Sequence, residues 1–377
     1  MKQASSAAPI TARATELAPE YVRGIAPYVP GKPIEELARE YGLAERSIVK
    51  LASNENPRGP SPKVLRAIAA AAADVTRYPD GNGFALKAAL AQRYGVARDQ
   101  IVLGNGSNDV LELATQALLR PGDATVYSQH AFAVYPLATQ ARGATGIVVP
   151  ARDFGHDLAA MAAAVTPRTR IVFVANPNNP TGTWVAPEAM RAFLAAVPRE
   201  VVVILDEAYD EYLEPEQRSS SAGWIDAYPN LIVSRTFSKA YGLAGLRVGF
   251  GLMHAGLADL LNRVRQPFNV NSVAQVAALA ALADADYVAE SAALNRAGMA
   301  ELVRGLDAMG VGHVPSHGNF LLIRVGAAAT VYEALLRQGV IVRPVASYDL
   351  PEHLRITVGL PEENLRFLAA LRTALGR

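Results

Sequence analysis

Lys239 lies in the run Thr236-Phe237-Ser238-Lys239-Ala240-Tyr241-Gly242-Leu243-Ala244-Gly245-Leu246-Arg247. An amine set among small and apolar residues is poorly solvated, loses its proton readily and becomes a nucleophile toward carbonyls. That property lets a lysine hold an aldehyde cofactor as a Schiff base. The hydroxyls of Thr236 and Ser238, and the guanidinium of Arg247 eight residues past the lysine, are donors suited to a phosphate dianion. Taken alone, the lysine could equally be a surface residue snorkelling beside a core arginine.

Two further segments add chemistry. Val201 to Leu205 is an unbroken apolar run that ends in Asp206, with Tyr209 three residues later. Such a run suits a strand covered on both faces of a parallel sheet. The carboxyl ends of strands in open α/β sheets are where ligands bind. An aspartate there could pair with a protonated pyridine nitrogen, and the tyrosine could bond to a ring oxygen. It could also merely cap the next turn. Ala175-Asn176-Pro177-Asn178-Asn179-Pro180-Thr181-Gly182 follows the apolar run Ile171 to Val174. It reads as a rigid turn, in which Asn179 could hold an amide donor still.

The positioning elements follow from periodicity. Apolar runs begin at Ile171, Val201 and Leu231, thirty residues apart each time, which is the length of a βαβ unit. Pro187 to Val197 supplies a helix between two of them. Ile101 to Leu103 leads into Gly104-Asn105-Gly106-Ser107-Asn108-Asp109 and an amphipathic run, Val110 to Leu119. Strand, glycine turn and helix together aim free N–H groups at an anion. The third glycine of a dinucleotide fingerprint is missing, so a phosphate cradle accounts for more of it than a dinucleotide site does; a plain helix cap is the simpler alternative. Ala67 to Ala73 reads as ordinary helix. Past about residue 272 an Ala-rich helical stretch precedes short apolar runs at Phe320 to Ile323, Val340 to Val342 and Leu354 to Val358. That mixture suggests a smaller α+β unit packed on the larger sheet.

In order and spacing, Asn179, Asp206, Tyr209, Lys239 and Arg247 resemble the fold-type I pyridoxal phosphate (PLP) aminotransferases. Further segments resemble the histidinol-phosphate branch of that family. They are Pro27-Tyr28-Val29-Pro30-Gly31-Lys32-Pro33, Leu51-Ala52-Ser53-Asn54-Glu55-Asn56-Pro57, Arg77-Tyr78-Pro79-Asp80-Gly81 and Leu354-Arg355-Ile356-Thr357-Val358-Gly359. The resemblance covers the chain from about residue 21 to its end.

It implies an α/β fold: a large domain with a mostly parallel seven-stranded sheet flanked by helices, and a smaller α+β domain. The expected divisions are a mobile tail at 1–20, an arm at 21–57 joining the small domain, a PLP-binding domain at 58–272 and a small domain at 273–377. The site is expected in the cleft between the two domains. The resemblance assigns Lys239 to the covalent link and proton transfer, and Asp206 to the pyridine nitrogen. Asn179 and Tyr209 fall to the ring's 3′ oxygen. Ser107, Asn108, Thr236, Ser238 and Arg247 fall to the phosphate. Tyr78 is expected to reach the phosphate of a neighbouring subunit's cofactor, which makes a homodimer with a shared site. Arg355 matches the arginine that grips an α-carboxylate, and Arg343, with Tyr28 and Asn54, a position for the phosphate of histidinol phosphate.

There are departures. Phe132 stands at the ring-stacking position, where many relatives have tyrosine; stacking needs only the ring face. Asn108 replaces an acid found in some relatives. His130 is read as structural rather than as a second polar group near substrate. The expected reaction exchanges the amino group of histidinol phosphate with 2-oxoglutarate, yielding glutamate. An aromatic amino-acid aminotransferase is the alternative on the same scaffold. A PLP lyase or decarboxylase is less consistent with Arg355, and a non-catalytic PLP-binding regulator with the intact lysine.

Composition agrees. The 377 residues suffice for a large core and more than one domain. Against 36 Lys and Arg stand 35 Asp and Glu, a net charge of +1, and no basic run points to nucleic acid. There is no cysteine, hence no disulfide or thiolate chemistry. No apolar run nears membrane-spanning length. A cytoplasmic enzyme without a metal site or a membrane partner is expected.

Overall fold

A computed structural model describes residues 16–377; the expected tail at 1–20 lies mostly outside them. The strands, in chain order, are β1 (Val49–Lys50), β2 (Ile101–Gly104), β3 (Ala124–Ser128), β4 (Thr145–Val149), β5 (Thr169–Ala175), β6 (Val202–Asp206), β7 (Leu231–Thr236), β8 (Gly249–Met253), β9 (Gly312–Val314), β10 (Phe320–Arg324), β11 (Val340–Ile341), β12 (Arg343–Pro344) and β13 (His353–Thr357). Seven of them form one sheet in the order β2-β8-β7-β6-β5-β3-β4. β3 to β7 pair in parallel, while β8 runs antiparallel to both of its neighbours.

The apolar runs at Ile171, Val201 and Leu231 become β5, β6 and β7, side by side at the centre. Successive side chains on a strand point to opposite faces. Val172, Val174, Val203, Leu205 and Val233 accordingly enter one core cluster, and Ile171, Phe173, Ile204 and Ile232 enter another. Both faces are covered, which explains runs without polar alternation.

The helices used below are α1 (Ile34–Tyr41), α2 (Pro62–Ala71), α3 (Phe84–Tyr94), α4 (Ser107–Leu118), α5 (Val134–Gln140), α6 (Leu158–Ala163), α7 (Pro187–Ala196), α8 (Ala255–Val264), α9 (Ser272–Leu282), α10 (Ala285–Ala308), α11 (Ala328–Arg337) and α12 (Pro361–Ala374). α7 buries Met190, Phe193 and Leu194 on one sheet face, and α4 buries Val110, Leu111 and Ala114 on the other. α2 opens with Pro62 in its first turn and the Ser61 side chain accepting from the Val64 N–H, a start signal that satisfies a free donor.

The Ala-rich stretch past residue 272 is two helices, α9 and α10, bent 80° at their junction. α9 packs Ala274, Ala277, Ala278 and Ala281 into the core of the large sheet. A division at 272/273 would cut α9 away from the layer it covers, so we propose the boundary at the α9–α10 bend instead. Among the described residues no single helix is long and apolar enough to cross a membrane.

Beyond the bend, β12-β13-β10-β9 form an antiparallel sheet. Its core joins Leu302 and Leu306 of α10 with Leu321, Ile323, Leu354, Ile356, Phe367 and Leu371. The N-terminal arm belongs to this unit as well. β1 pairs in parallel with β11, Val49 opposite Val340, and the Thr357 N–H donates to the Leu51 carbonyl at 2.9 Å. Residues 51 to 54 are thereby laid along the mouth of the large sheet.

Candidate active site

Asp206 is the last residue of β6 and is buried in the cleft between the two units. The Tyr135 hydroxyl donates to its Oδ2 at 3.0 Å, and its Oδ1 has no hydrogen-bond partner among the described residues. Burial pushes this carboxyl up to about 6, against the hydrogen bond from Tyr135. A buried carboxylate oxygen without a partner is costly unless a ligand supplies a donor. Tyr209, in the loop after β6, accepts from Asn54 Nδ2 at 2.9 Å. Burial lifts its phenol to about 12, so it remains a neutral donor.

Lys239 follows β7. Its Nζ donates to the Ser53 carbonyl at 3.0 Å and lies 5.6 Å from the centre of the Tyr209 ring. Burial, and then the nearby guanidinium of Arg355, bring the amine down to about 7. A large fraction is therefore uncharged at neutral pH, the form that attacks a carbonyl or accepts a proton.

Beside the lysine, Arg247 Nη1 donates to Ser238 Oγ at 3.0 Å, and Nη2 to the Asn105 carbonyl at 3.2 Å. The Ser238 N–H donates to Thr236 Oγ1 at 3.1 Å. Gly106 precedes α4 with φ +80°, and a Cβ there would come within 2.4 Å of Arg247 Nη2. Only glycine lets the guanidinium lie against the first turn of α4, whose Ser107 and Asn108 line the same cleft. A helix start, two hydroxyls and a guanidinium make a site for a dianion.

Opposite stand two arginines from neighbouring strands of the small sheet, Arg343 directly across from Arg355. Arg355 donates to Asn179 Oδ1 at 2.5 Å and to the Ala52 carbonyl at 2.7 Å, while its Nε has no partner among the described residues. Arg343 donates to the Val29 carbonyl at 2.7 Å and sits 5.4 Å from the Tyr28 ring centre. Two cations meet in the cleft, and among the described residues no carboxylate pairs with either.

The structure thus gathers Tyr28, Asn54, Ser107, Asn108, Phe132, Asn179, Asp206, Tyr209, Thr236, Ser238, Lys239, Arg247, Arg343 and Arg355 around one cleft. Tyr78 is elsewhere: it is 82% exposed and stacks on Phe268 at 4.7 Å. His130 is tied to the Tyr348 carbonyl at 2.7 Å and does not line the cleft. Sequence reasoning missed Tyr348, which lines the cleft, and Tyr135, which lies behind Asp206. Neither stands in a segment with a chemical signature, although Tyr135 is three residues past Phe132.

These residues fit pyridoxal phosphate. The unpartnered Asp206 Oδ1 suits a ring N–H, the glycine-backed cradle suits a phosphate, and the half-neutral amine of Lys239 suits an aldehyde. A cleft with these donors on a mostly parallel seven-stranded sheet defines a PLP-dependent aminotransferase of fold type I.

The family described as "Aminotransferase class I and II" matches residues 46–371, and the chain belongs to it. It is 60% identical over 361 residues to histidinol-phosphate aminotransferase 2 of Nitrosospira multiformis, covering 96% of this chain and 92% of that protein. It is likewise 60% identical over 363 residues to the histidinol-phosphate aminotransferase of Methylobacillus flagellatus, covering 96% and 98%. Among solved structures it is similar to histidinol-phosphate aminotransferase from Sinorhizobium meliloti in complex with pyridoxal-5′-phosphate. The TM-score is 0.89 at 31% identity, with 95% of this chain and 97% of that chain covered. The aspartate aminotransferase of Thermus thermophilus with maleate shares the fold, with TM-score 0.80 at 23% identity over 95% and 98%.

Proposed function

We propose that this chain is a histidinol-phosphate transaminase of histidine biosynthesis. It moves the amino group of L-histidinol phosphate to 2-oxoglutarate, giving imidazole acetol phosphate and L-glutamate. The observation that carries this reading is the pair Arg343 and Arg355, two guanidiniums that no carboxylate of the described residues neutralises, across a cleft from the half-neutral amine of Lys239. One substrate presents a phosphate and the other two carboxylates, so a shared cationic wall serves both.

Pyridoxal phosphate, when bound, supplies an aldehyde for the migrating amino group and a ring that takes up the electron pair released when the substrate's Cα–H bond breaks. The chain's residues do the rest. Ser107, Asn108, Thr236, Ser238 and Arg247 hold the phosphate, and Phe132 supports the ring face. Asp206 would pair with the ring nitrogen and keep it protonated, while Asn179 and Tyr209 would donate to the 3′ oxygen. Lys239 Nζ would hold the aldehyde carbon until the substrate's amine displaces it and, once freed, would take the Cα proton and deliver it to the carbon next to the ring. Arg355 grips the α-carboxylate or the phosphate. Arg343, with Tyr28 and Asn54, adds the second cationic and polar wall that the phosphate substrate uses.

Tyr78 is exposed and does not line its own cleft, which supports a homodimer in which it reaches the partner's phosphate site. A cytoplasmic location suits soluble substrates of this kind. Mixing the holoenzyme with single amines, and following conversion of the cofactor's aldehyde form to its amine form by absorbance, tests the reading. Histidinol phosphate and glutamate convert it; a chain inert to both is not this transaminase.

A further inference from the structure

Tyr135 is fully buried at the start of α5 and belongs to no segment with an assigned role. Its ring is clamped, stacked on Phe173 at 4.5 Å and 8° and met edge-on by Phe132 at 5.8 Å and 87°. A phenol held on both sides cannot swing, so its hydroxyl is aimed by packing at one atom, Asp206 Oδ2, 3.0 Å away.

We propose that Tyr135 is a positioning residue for the reaction: its hydroxyl fixes one oxygen of Asp206, leaving Oδ1 to pair with the cofactor's ring nitrogen, and keeps the shared proton on that nitrogen. The inference rests on the PLP reading above. A hydrogen bond donated to a carboxylate is charge-assisted and favours its ionised form. Burial holds the Tyr135 phenol well above its usual range, so it stays protonated and able to donate to the carboxylate. The groups facing Asp206 are Tyr135 from α5, Lys239 from the turn after β7, and Glu207 and Tyr209 from its own loop. Burial and Glu207 oppose the charged form, while Tyr135, the Ala208 backbone N–H and Lys239 favour it. Without the hydroxyl, Asp206 becomes the stronger base and draws the shared proton from the ring. The same side chain supports Phe132, linking the ring-face contact to the carboxylate.

The test loads wild type, Tyr135→Phe and Phe173→Leu with nitrogen-15-labelled pyridoxal phosphate and records the ring-nitrogen NMR signal and the cofactor Kd. Wild type should show the protonated-ring signal at neutral pH. Tyr135→Phe should shift it toward the unprotonated value and weaken Kd by about tenfold. Phe173→Leu, which removes one wall of the clamp and keeps the hydroxyl, should shift the signal less than Tyr135→Phe does. Apoprotein with 3-fluorotyrosine at position 135, the same shape and a stronger donor, covers the case in which Tyr135→Phe does not fold: its Asp206 should titrate at lower pH than in wild type. An unchanged signal in Tyr135→Phe, an equal shift in Phe173→Leu, or an unchanged Asp206 titration overturns the proposal. A wild-type chain that takes up no cofactor overturns the underlying reading instead.

Discussion

The amine of Lys239 rests on the Ser53 carbonyl, 3.0 Å away, so the arm and the large sheet meet at the reactive atom. Three consecutive arm residues serve the site: the Ala52 carbonyl takes Arg355, the Ser53 carbonyl takes Lys239, and the Asn54 amide donates to Tyr209. The arm therefore fixes the three groups relative to one another, although they are distant in sequence.

Lys239→Ala should abolish turnover and leave the phosphate contacts in place. In wild type, borohydride treatment and mass spectrometry should find the pyridoxyl group on Lys239; labelling of another lysine contradicts the assignment. Because the amine is brought down to about 7, covalent capture of the cofactor by apoprotein should speed up as pH rises through that value and level off above it.

Asp206→Asn separates function from stability. The carboxyl is raised from 3.8 to about 6 in the folded protein. Between those values the folded apoprotein binds more protons here than the unfolded chain, so this site's contribution to stability falls as pH rises. The Asn apoprotein should match wild type near about pH 4 and exceed its Tm above about pH 6, while Cα-proton removal in the holoenzyme slows by orders of magnitude. A variant that is less stable than wild type at pH 7 and keeps its rate would make Asp206 a turn cap.

Gly106→Ala should displace Arg247, since the new Cβ would fall 2.4 Å from Nη2 and the long side chain yields before the backbone does. Losing one charged hydrogen bond is worth roughly 1.5–3 kcal/mol, or about ten- to a hundredfold in Kd for pyridoxal phosphate. Pyridoxal without its phosphate should bind both proteins alike, and equal losses for the two ligands would point to general damage.

Arg343→Ala should depress the histidinol-phosphate half-reaction by about ten- to a hundredfold in kcat/KM and the glutamate half-reaction much less. Arg355→Ala should depress both. Single-turnover rates of the two half-reactions, measured separately, check this pattern.

Much of this was legible in the sequence because the central strands bury both faces and so appear as unbroken apolar runs ending in polar residues at one edge of the sheet. Asp206, Lys239 and Asn179 each stand just past such a run. β8 was not legible: Gly249 and Gly251 blur its pattern, and its antiparallel pairing is a tertiary choice. β4 is half-exposed, without an unbroken apolar run. The α9–α10 bend hid inside a uniform Ala-rich composition. Contacts between Tyr135 and Asp206, 71 residues apart, and between Arg355 and Asn179, 176 apart, have no local signal. Tyr78, expected to act across a subunit boundary, does not line this chain's own cleft.

The substrate is the central claim, and one comparison tests it most directly: half-reaction kcat/KM of the wild-type holoenzyme with histidinol phosphate and with phenylalanine. Arg343 and Arg355 together predict clear preference for histidinol phosphate, by at least the factor that Arg343→Ala removes. Phenylalanine rates equal to or above those with histidinol phosphate would contradict the account and point to an aromatic amino-acid aminotransferase.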